Sequence, residues 1–240
     1  MKINTLVFDL DDTLFNEQDY VLSGFKAVGQ WVENALKTDQ FYNNAVKLFN
    51  NGVTEQLFNR TLETLDISYN QDMIIDMVNV YRSHRPNIQL FEDARWLFNE
   101  INENVKVGLI TDGYLVAQQM KVEALNIKHK FNAIIFSDTL GREYWKPSPI
   151  PYERLIYQLN SDHKQCVYIG DNVTKDFITA KWLGWKTVQI SRGDGIYSNT
   201  VIKQSQYQAD YKIEEFKELL NIKELRHLFK KDKNKVVVET

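Results

Sequence analysis

The segment Val7-Phe8-Asp9-Leu10-Asp11-Asp12-Thr13 crowds three aspartates onto the end of an apolar run. Like charges packed there repel, and burial raises their proton affinity unless a cation neutralises them. Such a cluster suits a hard divalent ion; Mg²⁺ is typically held by one or two carboxylates together with waters and a substrate phosphate. Taken by itself, the segment also fits a surface turn that tolerates three aspartates. It is accompanied by Thr111-Asp112-Gly113, which closes the apolar run Leu109-Ile110, by the pair Lys146-Pro147, and by Gly170-Asp171 with Asp176 further on.

The elements that must position these residues follow from hydrophobic pattern. Six short runs rich in β-branched and aliphatic residues are predicted strands: Thr5 to Phe8, Lys106 to Ile110, Ala133 to Phe136, Cys166 to Ile169, Thr187 to Ile190 and Ala209 to Ile213. From the second onward they alternate with helical patterns at Leu115 to Leu125, Ile150 to Leu159 and Lys175 to Leu183, the signature of βαβ units. Near-continuous apolarity in each strand fits burial on both faces. The fold class expected is α/β, a doubly wound, mostly parallel sheet of Rossmann-like form. Each polar site then follows the carboxyl end of a strand, the edge at which open α/β sheets bind ligands.

Between the first and second strands the pattern is helical. Phe25, Val28, Trp31, Val32 and Ala35 keep i, i+3, i+4, i+7 spacing, and Met73, Ile74, Met77, Val78 and Tyr81 repeat it. An inserted all-α domain is therefore expected, with its return near Arg85-Pro86, where proline disfavours helix in the residue before it. The expected division is a core of residues 1–15 and 86–220, including a helix from Phe91 to Glu103; a helical insertion at 16–85; and a C-terminal helix, Ile222 to Phe229, with a frayed tail over 221–240.

Composition removes several classes of partner. A chain of 240 residues with 43% hydrophobic and 25% charged residues is an ordinary globular one of one or two domains. Its net charge of -3, without a dense basic patch interleaved with aromatics, argues against nucleic acid. The run Lys230, Lys231, Lys233, Lys235 reads as a solvated tail. No apolar run is long enough for a membrane span and no signal peptide is apparent, so no membrane and a cytoplasmic location are expected. The single Cys166 excludes an internal disulfide and lies in an apolar run, as a small buried hydrophobe would. His84, His129, His163 and His227 show no ligand spacing, which disfavours zinc.

The run DLDDT, the strand-terminal Thr111, Lys146-Pro147 and the segment GDNVTKD together resemble the four motifs of the haloacid dehalogenase-like superfamily, over nearly the whole chain from Val7 to about Ile213. The helical insertion between the first and second motifs is similar to the cap of that superfamily's small-molecule phosphatases. The resemblance implies that Asp9 is the nucleophile and Asp11 the general acid/base, two positions on and able to return to the same side of the strand end. It implies that Thr111 offers its hydroxyl, and Asp112 and Gly113 their N–H groups, to the phosphoryl oxygens, while Lys146 supplies positive charge. Mg²⁺ is the implied cofactor, held by Asp9, the backbone carbonyl of Asp11 and Asp171, with Asp176 alongside or acting through water. Asp12 is left with turn or cap chemistry.

The activity so implied is hydrolysis of a small phosphorylated metabolite by a monomer or homodimer. A phosphomutase would use the same motifs and return the phosphate to a sugar, and a non-catalytic binding protein would lose one of them. A dehalogenase has no need of Asp11. Phe15, Asn16, Arg60 and Arg85 are candidate contacts to the leaving group.

Overall fold

A computed structural model describes residues 2–193 and 204–230. The strands are β1 (Thr5–Phe8), β2 (Lys106–Thr111), β3 (Ala133–Phe136), β4 (Cys166–Gly170), β5 (Lys186–Ile190) and β6 (Tyr211–Ile213). They form one parallel sheet in the order β3-β2-β1-β4-β5-β6. The chain builds outward from β1 to one edge through β2 and β3, then returns to build the other edge through β4. The end of β1 is therefore the point at which strand order reverses, where such sheets open a crevice.

Successive residues of β1 face opposite sides of the sheet. Val7 joins a buried cluster with Ile110, Ile135 and Tyr168 from neighbouring strands, covered by Tyr152, Leu155 and Ile156 of α7 (Ile150–Leu159) and Phe177 and Ala180 of α8 (Phe177–Trp182). Phe8 instead meets Phe98 of α5 (Glu92–Glu100), ring centroids 6.1 Å apart, and Phe216 at 6.0 Å. The central strands β2, β1 and β4 are thus covered on both faces, which is why they lack polar alternation. On β2 a side chain at Gly108 would meet Leu155 Cδ2 at 2.7 Å, so glycine lets α7 lie close against the sheet.

Clustering by contacts separates two compact units. One comprises residues 1–16, 90–113 and 127–240 and contains the sheet; the other comprises 17–89 and 114–126. The second is all helical: α1 (Glu17–Leu36), α2 (Phe41–Asn50), α3 (Leu57–Thr64) and α4 (Gln71–Ser83), together with α6 (Leu115–Ala124). Its interior joins Phe25, Val28 and Val32 of α1 to Phe41, Phe58, Leu62, Ile74 and Met77. Asn70 caps α4 by accepting a hydrogen bond from the Met73 N–H at 2.9 Å. Ala35, expected on the apolar stripe, is exposed.

Three boundaries differ from the sequence expectation, the first being the insertion itself, which runs 17–89 instead of 16–85. The helix Leu115 to Leu125, expected in the core, groups with the helical unit: Arg82 stacks on the Tyr114 ring at 3.3 Å and the Lys121 ammonium lies 4.2 Å from the centre of the Tyr20 ring. These are cation–π contacts, which apolar periodicity does not reveal. The expected helix Ile222 to Phe229 is a single 3₁₀ turn, Arg226–Leu228. Leu225, Leu228 and Phe229 are all buried there, and Phe229 bridges to Ile101, so these side chains fix an irregular path. The expected tail at Lys231, Lys233 and Lys235 lies outside the described residues. No helix among the described residues is long and apolar enough to cross a membrane.

Candidate active site

Strand β1 delivers Asp9 to the reversal point, where its N–H donates to Ile169 O at 2.9 Å and its side chain is buried. Lys146 arrives from a loop that descends from β3 through 3₁₀ turns at Ser137–Leu140 and Arg142–Tyr144. Its ammonium donates to Asp9 Oδ1 at 2.6 Å, to Asp176 Oδ1 at 2.8 Å and to the Tyr168 hydroxyl at 2.9 Å. An ammonium has three protons, and each has a partner here.

Beyond β4, Asp171 accepts from Thr13 Oγ1 at 3.3 Å, and Asp176 Oδ2 accepts from the Asn172 N–H at 3.0 Å. Asp9, Asp171 and Asp176 each offer a carboxylate oxygen within 4.8 Å of the others. Asp11's carboxylate is outside that trio, though near enough to add to the proton affinity of Asp9.

The electrostatics follow from crowding in a dry place. Burial, reinforced by Asp176 and Asp11, pushes Asp9 up to about 7 against the pull of Lys146 and Lys175. Burial and the neighbouring carboxylates push Asp171 well above the carboxylate range. Although burial disfavours its charge, Asp176 and Asp9 hold the Lys146 ammonium well above the usual lysine value. Lysine thus keeps its proton and the carboxylates outnumber it, leaving the trio short of positive charge. An all-oxygen set of this kind fits Mg²⁺.

At the end of β2, Thr111 is fully buried and its hydroxyl has no hydrogen-bond partner among the described residues. A buried hydroxyl left this way ordinarily awaits a ligand or water. Asp112 follows: its Oδ1 accepts from the Lys146 backbone N–H at 3.2 Å and its Oδ2 meets Lys175 Nζ at 3.1 Å. Burial raises its proton affinity, but Lys146 and Lys175 outweigh that and hold it below the usual range. Gly113 takes φ 129, a backbone that L side chains rarely adopt.

Asp12 is buried with φ 49 and lines a cavity of about 480 Å³ with Asn16, Phe91 and Arg192. Phe15, expected as a substrate contact, is instead fully buried and bridges to Leu90, because it closes the turn after β1. Arg60 and Arg85 are exposed in the helical unit. His163 Nδ1 accepts from the Trp185 indole at 2.8 Å, and the His227 ring meets Ile3 O at 2.7 Å. Burial pushes the Cys166 thiol up to about 12, so it stays protonated.

Residues 6–190 match the haloacid dehalogenase-like hydrolases. The chain belongs to that family. Among curated relatives, the glyceraldehyde 3-phosphate phosphatase of Methanocaldococcus jannaschii is 27% identical over 231 residues, covering 92% of this chain and 96% of its own. The pyrophosphatase PpaX of Bacillus mycoides is 25% identical over 197 residues, covering 80% and 85%. The crystal structure of a 2-haloacid dehalogenase from Pseudomonas syringae shares the fold, with a TM-score of 0.64 at 19% identity and coverage of 92% and 97%. Both curated relatives are named as phosphatases, of an ester and of pyrophosphate, within 25–27% identity to this haloacid dehalogenase-like hydrolase.

Three residues near the acidic trio were not singled out in the sequence: Tyr168, Thr13 and Lys175. Tyr168 was hidden inside an apolar strand. Lys175 was legible in principle, standing beside Asp176 in a segment already marked for its carboxylates. Gly170 makes the arrangement possible, since a Cβ there would lie 2.4 Å from Asp176 Oδ2, an oxygen already held by the Asn172 N–H. Gly170→Ala is expected to lower stability by about 1–3 kcal/mol, the usual cost of overpacking. Thermal unfolding measures it, and an unchanged melting temperature would mean that Asp176 has room to turn aside.

Proposed function

We propose that this enzyme is a Mg²⁺-dependent phosphatase that hydrolyses the phosphomonoester of a small metabolite through an aspartyl phosphate on Asp9. The observation carrying this reading is the buried trio Asp9, Asp171 and Asp176, short of positive charge at the point where strand order reverses. The phosphatase names of the two curated relatives fit a small phosphorylated substrate.

In the first step an Asp9 carboxylate oxygen attacks phosphorus; the Asp9–phosphorus bond forms as the bond to the leaving oxygen breaks, and Asp11 gives that oxygen its proton. In the second, Asp11 takes a proton from water, whose oxygen displaces Asp9 and releases phosphate. Thr111 and the N–H groups of Asp112 and Gly113 hold phosphoryl oxygens, and Lys146 offsets charge in a loose transition state that asks little else of the protein. Asp9, Asp171 and the carbonyl of Asp11, with Asp176 alongside, would hold Mg²⁺, which neutralises phosphoryl charge when bound. The helical insertion between the first and second motifs is the proposed cap that selects the leaving group.

The test is phosphate release from a broad panel of phosphorylated metabolites with Mg²⁺, beside Asp9→Asn as control. Activity is expected to vanish in excess chelator and to be inhibited by Ca²⁺, whose larger, looser shell misplaces the nucleophile. Full turnover in chelator would refute the metal assignment.

A further inference from the structure

A carboxylate beside an anion site is self-defeating unless something cancels it. Asp112 is in that position on the reading proposed above, since it directly follows Thr111, and its side chain is buried at the same strand end. Two unit charges a few ångströms apart interact strongly in a partly dry site, so an uncompensated Asp112 would repel an incoming phosphate dianion.

Lys146 does part of the cancelling through space, but its ammonium is committed to other partners. All three of its ammonium protons are engaged, by Asp9, Asp176 and Tyr168, and its bond to Asp112 comes from the backbone N–H. The side-chain cation that Asp112 meets is Lys175, whose ammonium lies 3.1 Å from Oδ2 and is partly exposed. Among its contacts, Asp112 thus joins the loop carrying Lys146 to the segment carrying Lys175.

We propose that Lys175 compensates the charge of Asp112, so that a dianionic phosphoryl group is admitted to the end of β2 while Asp112 keeps its hold on the Lys146 backbone. Lys175 is on this view a positioning residue acting through Asp112. The proposal rests on the phosphatase reading and adds to it a dependence that the other site residues do not share: beyond its pull on Asp9, the need for Lys175 in phosphate binding exists while position 112 carries a negative charge.

The experiment is a double-substitution cycle using Lys175→Met and Asp112→Asn. It follows hydrolysis of an aryl phosphate, competitive inhibition by inorganic phosphate, and thermal unfolding. Asn can still accept from the Lys146 N–H, so the loop contact survives. Lys175→Met is expected to raise KM and the phosphate inhibition constant roughly 10- to 100-fold with kcat within a few-fold. Adding Asp112→Asn to it should restore most of both. Asp112→Asn alone should tighten phosphate binding about threefold or more, because a negative charge beside the anion is removed while the Lys175 ammonium stays; this arm holds even if Lys175→Met folds poorly.

Unchanged phosphate inhibition in Lys175→Met, a double variant as weak as that single one, or weaker binding in Asp112→Asn would each overturn the proposal while leaving the phosphatase reading intact. A parent enzyme that neither turns over the aryl phosphate nor is inhibited by phosphate would overturn both.

Discussion

Asp9→Asn is expected to reduce turnover to background, a loss of at least about 10⁴-fold, because it removes the group that forms the covalent intermediate. The same substitution should not weaken the metal-free fold. Burial raises Asp9 from 3.8 to about 7, so between those values the unfolded chain is ionised while the folded one holds its proton. Stability therefore falls as pH rises through that window, and asparagine removes the penalty. A metal-free Asp9→Asn variant should melt no lower than its parent at neutral pH. Inactivity with a retained or raised melting temperature marks a residue kept for chemistry at the expense of stability; inactivity with collapse of the fold would mean that Asp9 is structural.

Asp11→Asn provides the contrast. Its carboxylate is outside the acidic trio, and proton transfer typically contributes about 10² to 10⁴-fold. With an aryl phosphate whose leaving group needs no protonation, the first step should recover while hydrolysis of the intermediate stays slow. Phosphoenzyme should then accumulate and appear as a mass adduct on Asp9 after rapid acid quench. Label on any other residue would overturn the assignment of the nucleophile.

Strands β1 to β4 are readable because each is a mostly apolar run with a polar residue at or just after its end, whereas Gln189 and Lys212 interrupt β5 and β6. The expected β1 and β3 match, Thr111 and Gly170 extend β2 and β4, Lys186 extends the start of β5, and β6 starts at Tyr211 instead of Ala209. The convergence of Asp9, Thr111, Lys146 and Asp171 was likewise implied by their shared place after strand ends, a property of parallel topology that periodicity captures. Two kinds of feature escaped. Cation–π packing of Lys121 and Arg82 drew α6 into the helical unit, since charged residues count as solvent-facing in any apolar pattern. The roles of Tyr168 and Lys175 depend on distances of about 3 Å across loops far apart in sequence, and no local spacing encodes those.

Lys146→Met is expected to produce the second large effect, in activity and stability together. Its ammonium is buried against Asp176 and Asp9, and removing it leaves Asp176 buried without its cation; removing one partner from a buried ion pair usually costs about 3–5 kcal/mol. For a chain of this size that corresponds to a melting temperature roughly 6 to 20 °C lower. Mg²⁺ should offset part of the loss, since it supplies positive charge to the same carboxylates; its stabilising shift should be larger in Lys146→Met than in the parent. Turnover should nonetheless remain down by roughly 10³-fold at saturating Mg²⁺, because a cation that stabilises the transferring phosphoryl group contributes on that scale. Lys146→Arg is not expected to rescue it: the planar guanidinium cannot direct three protons from one point toward Asp9, Asp176 and Tyr168. Measuring melting temperature against Mg²⁺ concentration separates the two roles of the lysine. A variant whose stability recovers with metal while its turnover does not would show that Lys146 acts on the substrate as well as on the trio; recovery of turnover to within tenfold of the parent would reduce it to a structural counter-ion.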